Sequence, residues 1–353
     1  MIGIVLGVLV LVIGGVVGGA TYLSGHREKV QRTEYRAGHA AYLRADCEQA
    51  VGHLRRAMEH RPDRDIAVRT GQELQACQAL LAARRKAVGA EPADALNVYL
   101  GYLSDSRAET LRLAVQRQVI TLVEDVTPKD LVAADLCANL DEIEKAVDEA
   151  LAAEGKVEPE ITDASLTVAA GSADVRSTWL PPMLSACGKA WQKEGLDDRA
   201  LEAFLRLRKE YPTSSFAGKV LPDIVEISYR VARENGKTLM FDLMELGTLA
   251  AGGREAQVAL LNCTPMTASI MVAGPEAVSR TAKRSPGAKV YATYEQFASR
   301  GCPAGSTVAR FWLLPGRYKV VIDLGEGRIL YGDWTLRKAK AYITSVAWIR
   351  QAS

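Results

Sequence analysis

The six cysteines fall in three successive pairs along the chain: Cys47 and Cys77, Cys137 and Cys187, and Cys263 and Cys302. Each pair lies within one predicted structural unit. An even count placed in this way predicts one disulfide per unit, formed in an oxidising compartment. The alternative is three pairs of buried free thiols, because cysteine is often buried. Neither a CxxC motif nor a Cys/His spacing indicates a zinc site.

The four histidines can also bind a metal or transfer a proton; they are His26, His39, His53 and His60. His53 and His60 are seven residues apart on one predicted helix face, where Glu59 could be a third metal ligand, but solvated surface histidines are the simpler interpretation. The chain has no GxSxG, HExxH, P-loop or dinucleotide-binding GxGxxG motif. We therefore predict no catalytic, cofactor-binding or metal-binding residues and a protein that is not an enzyme; an enzyme of unfamiliar type is the alternative.

An apolar segment precedes all of these residues. Residues 2–23 contain no charged side chain, and roughly 20 apolar residues in a helix span a bilayer. A secretory signal peptide has a basic region before a shorter apolar core, and no basic side chain precedes this segment. We predict a retained transmembrane anchor over residues 1–25, with a cleaved signal peptide as the alternative.

Four glycines fall on one stripe of this predicted anchor: Gly3, Gly7, Gly14 and Gly18. Small residues four apart allow two membrane helices to approach closely. These glycines are candidates for transmembrane packing, and they suggest a homodimer formed through the anchor. The alternative is that glycine is simply common in membrane helices.

Two arguments about topology disagree. Arg27, Lys29, Arg32 and Arg36 follow the apolar segment, and the positive-inside rule would place the rest of the chain in the cytoplasm. The paired cysteines instead favour an oxidising compartment. We favour a single-pass plasma-membrane protein with its soluble part on the extracytoplasmic side.

The region after the anchor carries a repeated helical pattern. Residues 34–62 resemble a tetratricopeptide repeat, in which two antiparallel helices pack through small residues. The matching positions are Gly38, Ala50, Leu54, Ala57 and Pro62. A second copy at residues 184–212 has the same spacing. Its matching positions are Gly188, Ala200, Phe204, Leu207 and Pro212.

Between and after these copies, three further features divide the chain. The hexapeptide at residues 95–100 resembles the one at 200–205, so the helical region consists of two related halves. Glycines and prolines interrupt the helical pattern at residues 153–182, which we predict to be a loop. After Arg254 the pattern changes to short β-branched and aromatic runs separated by turns, as in an antiparallel β-sandwich or small barrel. Its tryptophans are expected in the core, with an exposed ligand platform as the alternative: Trp312, Trp334 and Trp348.

These patterns together predict a multi-domain α+β protein. Its parts are a transmembrane anchor at residues 1–25, a tetratricopeptide-like helical domain at 26–253 and a β-rich domain at 254–353. Charge follows the same division, because residues 33–253 contain 27 basic and 35 acidic side chains while residues 254–353 contain 14 and 6. The two regions would attract each other, or would bind different partners.

Several short motifs resemble a family of actinobacterial envelope proteins that have an N-terminal anchor, a cysteine-containing helical region and a β domain with a PGxY turn. The motifs are Ala45-Asp46-Cys47, Cys77-Gln78, Leu184 to Gly188, Gly274-Pro275, Cys302-Pro303, and Leu314 to Tyr318 with Gly332-Asp333-Trp334. The family pattern has further cysteines in the β domain, including one near the end, whereas residues 342–348 here have none. The resemblance implies an exported soluble part and brings no activity.

Two functions follow from this organisation. The first is a membrane-anchored scaffold whose stacked helices bind another protein, with the β domain as a second contact. The second is a binding module for anionic envelope polymer or lipid headgroups, held by the basic β domain. Nucleic-acid binding requires a basic face with stacking aromatics. The basic β domain is the only candidate, and we do not expect an exported domain to bind nucleic acid.

Overall fold

A computed structural model describes residues 26–59, 64–106, 108–154, 172–235, 243–249, 253–347 and 349. The chain divides into two compact units, residues 1–179 and 180–353. This division falls inside a helix and differs from the predicted boundary at residue 253, because the later helices group with the strands. The predicted anchor, with its four glycines, lies outside the described residues. Within them, the structure has no helix long and apolar enough to cross a membrane.

The first unit is built from helices. Its elements are α1 (26–43), α2 (Cys47–Glu59), α3 (Arg64–Ala87), α4 (Pro92–Asp105), α5 (Glu109–Asp125), α6 (Pro128–Ala133), a 3-10 helix (Leu136–Asn139), α7 (Leu140–Glu154) and the start of α8 (Ser172–Lys193). Pro92 and Pro128 begin their helices, where a missing backbone N–H removes no helical hydrogen bond. Helices that are neighbours in sequence pack side by side, α2 on α3 and α3 on α4.

Two helix–turn–helix pairs, α1–α2 and α8–α9, have the same turn. In the first, Ala45 is left-handed and the Asp46 N–H donates to the Ala41 carbonyl at 3.0 Å. In the second, Gly195 is left-handed and the Leu196 N–H donates to the carbonyl of Trp191 at 2.8 Å. Such a bond, five residues back, closes a helix C-terminus and reverses the chain.

The same two pairs have the same close contact between their helices. A Cβ atom added at Gly38 would lie 2.8 Å from Cδ2 of Leu54, and one added at Gly188 would overlap the ring of Phe204. Only glycine therefore allows the facing side chain to pack against the helix backbone. Leu54 and Phe204 are fully buried as a result.

The second unit begins with helices and ends with strands. Its helices are the rest of α8, α9 (Asp197–Glu210), α10 (Ser215–Lys219), α11 (Leu221–Glu234) and, between two strands, α12 (Tyr294–Arg300). The loop predicted at residues 153–182 is wrong at both ends, because α7 continues to Glu154 and α8 begins at Ser172; residues 155–171 lie outside the described part. Pro181 and Pro182 lie inside α8.

Apolar burial explains why α8 tolerates its two prolines. An internal proline removes a helical hydrogen bond and costs about 3 kcal/mol. Leu180, Leu184 and Cys187 are buried at three- and four-residue spacing on the same helix. Burying such a side chain contributes about 1.5–3 kcal/mol, so the tertiary packing outweighs the local preference.

The strands form two four-stranded sheets. They are β1 (Met244–Thr248), β2 (Ala256–Asn262), β3 (Ala268–Ala273), β4 (Ala277–Ala282), β5 (Thr307–Leu313), β6 (Gly316–Asp323), β7 (Ile329–Leu336) and β8 (Lys340–Val346). The first sheet has the order β1-β8-β2-β5 and the second β4-β3-β6-β7. The α+β class is confirmed. A closed barrel is not found among the described strands, and an entirely antiparallel sheet is wrong, because β2 and β8 are parallel.

The core of the β region lies between the two sheets. Phe311 on β5 and Trp334 on β7 meet edge to face there, with ring centroids 6.1 Å apart. Trp334 is 3% exposed, as expected. Trp312, which was also expected in the core, is 55% exposed because it points to the outer side of β5; Trp348 lies outside the described residues.

One motif of the family resemblance closes a turn at the edge of this core. The Tyr318 hydroxyl donates a hydrogen bond of 2.9 Å to the carbonyl oxygen of Leu314. Gly274 lies against the Tyr318 ring, and a Cβ at that position would lie 2.8 Å from Cδ1 of the ring. Gly316 has a positive φ of 153°, as the turn sequence predicts. The Gly-Pro and PGxY segments are thus neighbours in space.

All six cysteines are disulfide-bonded. Cys47 is bonded to Cys77 and Cys263 to Cys302, with Cα–Cα distances of 4.9 Å and 5.1 Å; Cys137 and Cys187 are bonded as well. The first bond joins α2 to α3, and the second joins the end of β2 to the segment after α12. Because disulfides persist in oxidising compartments, the three bonds indicate an extracytoplasmic location.

Candidate functional site

A groove in the first unit is a candidate binding site among the described residues. It lies along α3 and α4, beside the end of α1, and has a cavity volume of about 1060 Å³. Ligand sites in proteins commonly have volumes of roughly 300–1,000 Å³. The α3 residues that line it extend from Arg69 to Lys86, so the groove is about 25 Å long at roughly 1.5 Å per helical residue.

The floor of the groove consists of small side chains. Alanine is the strongest helix former, and a series of alanines on α3 leaves the space above that helix open. Gly101 on α4 removes a side chain from the facing wall and is exposed. The small floor residues are Ala76, Ala79, Ala82, Ala83 and Gly101. A partner's backbone can therefore approach closely.

The rim of the groove is polar and balanced in charge. Arg69 and Lys86 oppose Glu73 and Asp105 among the described lining residues. Amide side chains lie between them, at Gln72, Gln75 and Asn97. Amides both donate and accept hydrogen bonds, which suits the main chain of an extended peptide. An extended segment of about seven or eight residues would match the length of the groove, at roughly 3.3 Å per residue.

A hydrogen bond to one oxygen of its carboxylate holds the Glu73 side chain in place. Its Oε1 accepts a hydrogen bond of 2.8 Å from Nδ1 of His39 on α1. The imidazole is stacked between Tyr35 and Tyr42, with centroid distances of 5.7 Å and 6.4 Å. The other oxygen, Oε2, is buried and has no hydrogen-bond partner among the described residues. The carboxylate thus retains an unused acceptor.

Tyr102 brings a second unmatched group to the same groove. The residue is 7% exposed, and its buried hydroxyl makes no hydrogen bond within the described chain. Burial raises the pKa of this phenol. The Ser106 hydroxyl is near enough to oppose that rise, although the contact lacks the geometry of an ordinary hydrogen bond. A buried polar group without a partner costs about 1–3 kcal/mol, so it is not a feature of optimal packing.

A smaller groove lies on the other side of α4. Its cavity volume is about 480 Å³, and Asn97 and Gly101 border both grooves. Intramolecular contacts already occupy its polar groups: Nη1 of Arg112 donates to the Leu103 carbonyl at 2.7 Å, and Glu149 accepts from Gln116. The larger groove is therefore the better candidate site.

The structure also places the histidines considered as metal ligands. Nδ1 of His53 lies 2.7 Å from Oε2 of Glu34, which also accepts from Nε of Arg56 at 3.0 Å. The pKa of Glu34 is lowered, first by the bond to His53 and then by Arg56. His60 lies outside the described residues, and within the described part no group of three or more metal-ligating side chains comes together.

A run of cations that form no salt bridge within the described chain begins on β4 of the second unit and continues beyond its end. Arg280, Lys283, Arg284 and Lys289 are exposed, and none forms a salt bridge in the described structure. No acidic residue occurs between residues 277 and 290. This segment accounts for half of the excess positive charge of residues 254–353.

Sequence reasoning did not single out Glu73 and Tyr102. The only local signal is the alanine spacing of α3, which is equally typical of close helix packing. Comparison with family models, with curated proteins and with solved structures finds no match to this chain.

Proposed function

We propose that this protein is a membrane-anchored scaffold at the cell envelope that holds an extended segment of a partner protein in the groove along α3 and α4. Residues 1–25 form its single-pass anchor, and the groove faces the extracytoplasmic side. The observation that carries this proposal is the open groove with an alanine floor and unmatched polar groups. A helical surface of this kind binds chains without catalysing a reaction.

The helix pairs support the choice of scaffold class. Gly38 with Leu54 and Gly188 with Phe204 repeat the same contact, and both pairs have the same left-handed turn. These are the positions that the tetratricopeptide pattern requires to be small or large. We propose that the helical region is of this repeat type, and that the protein belongs to the envelope family that its motifs resemble.

Site-specific photo-crosslinking in native membranes tests the proposed function. A photoreactive amino acid replaces Gln75, which lines the groove, or Gln49, which is exposed on α2 outside it. We expect a discrete protein adduct from position 75 and none from position 49. Ala79→Trp, which fills the groove from an exposed position, should abolish the adduct, whereas Ala152→Trp on the exposed side of α7 should not.

The result that contradicts the scaffold proposal is an adduct that forms equally at positions 75 and 49, or one that survives Ala79→Trp. Circular dichroism of the purified full chain establishes whether each variant keeps its helices.

The unpaired cations on and after β4 favour a second function, the binding of anionic envelope polymer or lipid headgroups. This function predicts salt-sensitive binding, because salt screens exposed charges with a Debye length of about 10 Å at 0.1 M. The full chain in which Arg280, Lys283, Arg284 and Lys289 are all changed to Gln should lose salt-sensitive retention on cell-wall fragments. A control with four exposed cations of the first unit changed to Gln should keep it: Arg44, Arg55, Arg85 and Lys129. Equal retention by both variants would exclude this function.

A further inference from the structure

Two polar atoms of the groove have no role in the fold of the described chain. Oε2 of Glu73 and the hydroxyl of Tyr102 are both buried, both lack a hydrogen-bond partner, and both belong to residues that line the groove. His39 bonds to the other oxygen of Glu73, and no salt bridge joins Arg69 to Glu73. Burial raises the pKa of Tyr35, and its hydroxyl lies near enough to Glu73 to add to that rise, but it makes no hydrogen bond to Oε2. Oε2 of Glu73 and the Tyr102 hydroxyl thus each have hydrogen-bonding capacity that the described chain does not use.

We propose that the groove selects a segment carrying a cationic group, an ammonium or a guanidinium, that is bound by Glu73 and Tyr102. This inference rests on the proposed function and specifies the chemistry of the occupant. A carboxylate forms its strongest hydrogen bonds with charged donors. An ammonium has three donors, and a carboxylate oxygen and a phenol oxygen can each accept one of them.

The rest of the groove sets limits on this occupant. Arg69 and Lys86 mark the two ends of the α3 lining, so a segment with several cations would meet repulsion there. One cation beside Glu73, in an otherwise neutral extended segment, fits the balanced rim. Both oxygens are closed to water in the described structure, so binding requires the side chains around them to move and expose them.

A synthetic peptide library tests this selection. The probes are octapeptides with an acetylated N-terminus and an amidated C-terminus, in which each position in turn is Lys, Arg, norleucine or acetyl-lysine. Fluorescence polarisation measures their binding to the purified full chain in detergent. We expect at least tenfold tighter binding when one position is Lys or Arg, and loss of that gain with norleucine or acetyl-lysine.

A second set of peptides distinguishes the source of the cation. These peptides contain no Lys or Arg but have a free terminal amine. If they bind as tightly as the lysine peptides, the selected group is an N-terminus; if only the lysine or arginine peptides gain affinity, it is a side chain. Both outcomes support a cation site.

Protein variants assign the preference to the proposed residues. Glu73→Gln should remove the tenfold preference while neutral peptides still bind, and Glu48→Gln, at an exposed position on α2, should leave it unchanged. Because norleucine and acetyl-lysine change only the peptide, the comparison holds even if Glu73→Gln weakens folding. Peptides that bind without any preference for a cation would overturn this inference alone, whereas no binding by any peptide would overturn the proposed function with it.

Discussion

The hydroxyl of Tyr229, on α11, donates a hydrogen bond of 2.7 Å to Oδ2 of Asp333, on β7, although 104 residues separate them. The Tyr229 ring meets Tyr331 edge to face at 4.9 Å, and Nζ of Lys319 lies 5.2 Å from its centre. Lys319 also pairs with Glu226 on α11. The helix is thus fixed to the outer face of the second sheet by side chains from β6 and β7.

Replacing Asp333 by Asn tests the contribution of this cluster. The change removes the negative charge that accepts the Tyr229 hydrogen bond, and we expect the free energy of unfolding to fall by about 1 kcal/mol. Asp198→Asn, at an exposed position of α9, should change it by less than about 0.5 kcal/mol. Urea unfolding followed by circular dichroism measures both. Equal stability of the two variants would show that the cluster does not anchor α11.

The same tyrosine predicts a dependence of stability on alkaline pH. Burial, followed by the hydrogen bond to Asp333, raises the pKa of Tyr229 from 10.0 to about 12. Since the folded pKa is higher than the unfolded one, the stabilisation is complete below pH 10.0 and is lost as pH rises through about 12. The stability difference between the wild type and Tyr229→Phe should therefore shrink from about pH 10 to about pH 12. A difference that stays constant over this range would contradict the assignment.

The glycine contacts of the helix pairs predict opposite effects for two similar substitutions. Gly38→Ala places a Cβ 2.8 Å from Leu54 and should lower the free energy of unfolding by about 1–3 kcal/mol. Gly52→Ala, inside α2, meets nothing closer than a flexible arginine end at 3.8 Å. Because alanine favours a helix, it should raise stability by about 0.5–1 kcal/mol. Thermal unfolding of both variants checks the signs, and a destabilising Gly52→Ala would contradict this account.

The disulfides predict the redox state of the native protein. Protein alkylated before lysis and mapped without reduction should yield crosslinked peptides for Cys47–Cys77 and Cys263–Cys302. Cys137 and Cys187 should also remain unalkylated, because both are disulfide-bonded. The first bond closes a loop with a separation of 30 residues, worth about 3–4 kcal/mol in the chain-entropy model. Six alkylated cysteines would place the soluble part in a reducing compartment.

The proposed anchor predicts that residues 1–25 remain on the mature protein. Residues 2–23 contain no charged side chain, and roughly 20 apolar residues in a helix span a bilayer. The intact mass of protein purified from membranes should equal that of the whole chain. A mature start near Thr21 would contradict the anchor. If the mass agrees, Gly7→Leu with Gly14→Leu should weaken a detergent-resistant dimer, because the larger side chains prevent close approach.

Much of the first unit could be predicted from the sequence because its contacts are local. Gly38 and Leu54 are related by a fixed spacing through one turn, and the helical pattern alone places them on facing sides. The pairing of Cys47 with Cys77 follows for the same reason, since neighbouring helices in sequence pack together. Prediction from local preference failed at Pro181 and Pro182, which normally end a helix. Here the burial of Leu180 and Leu184 stabilises a helix that continues through both prolines.

The sequence by itself determined the order of helices before strands, the division of charge and the glycines required where helices touch, because each depends on residue type and short spacing. Only the tertiary structure decided the parallel pairing of β2 with β8 and the bond from Tyr229 to Asp333. It also brought Glu73 and Tyr102 to one groove. Periodicity specifies which face of an element is buried but not its partner, and partners distant in sequence are selected by the packing of the whole chain.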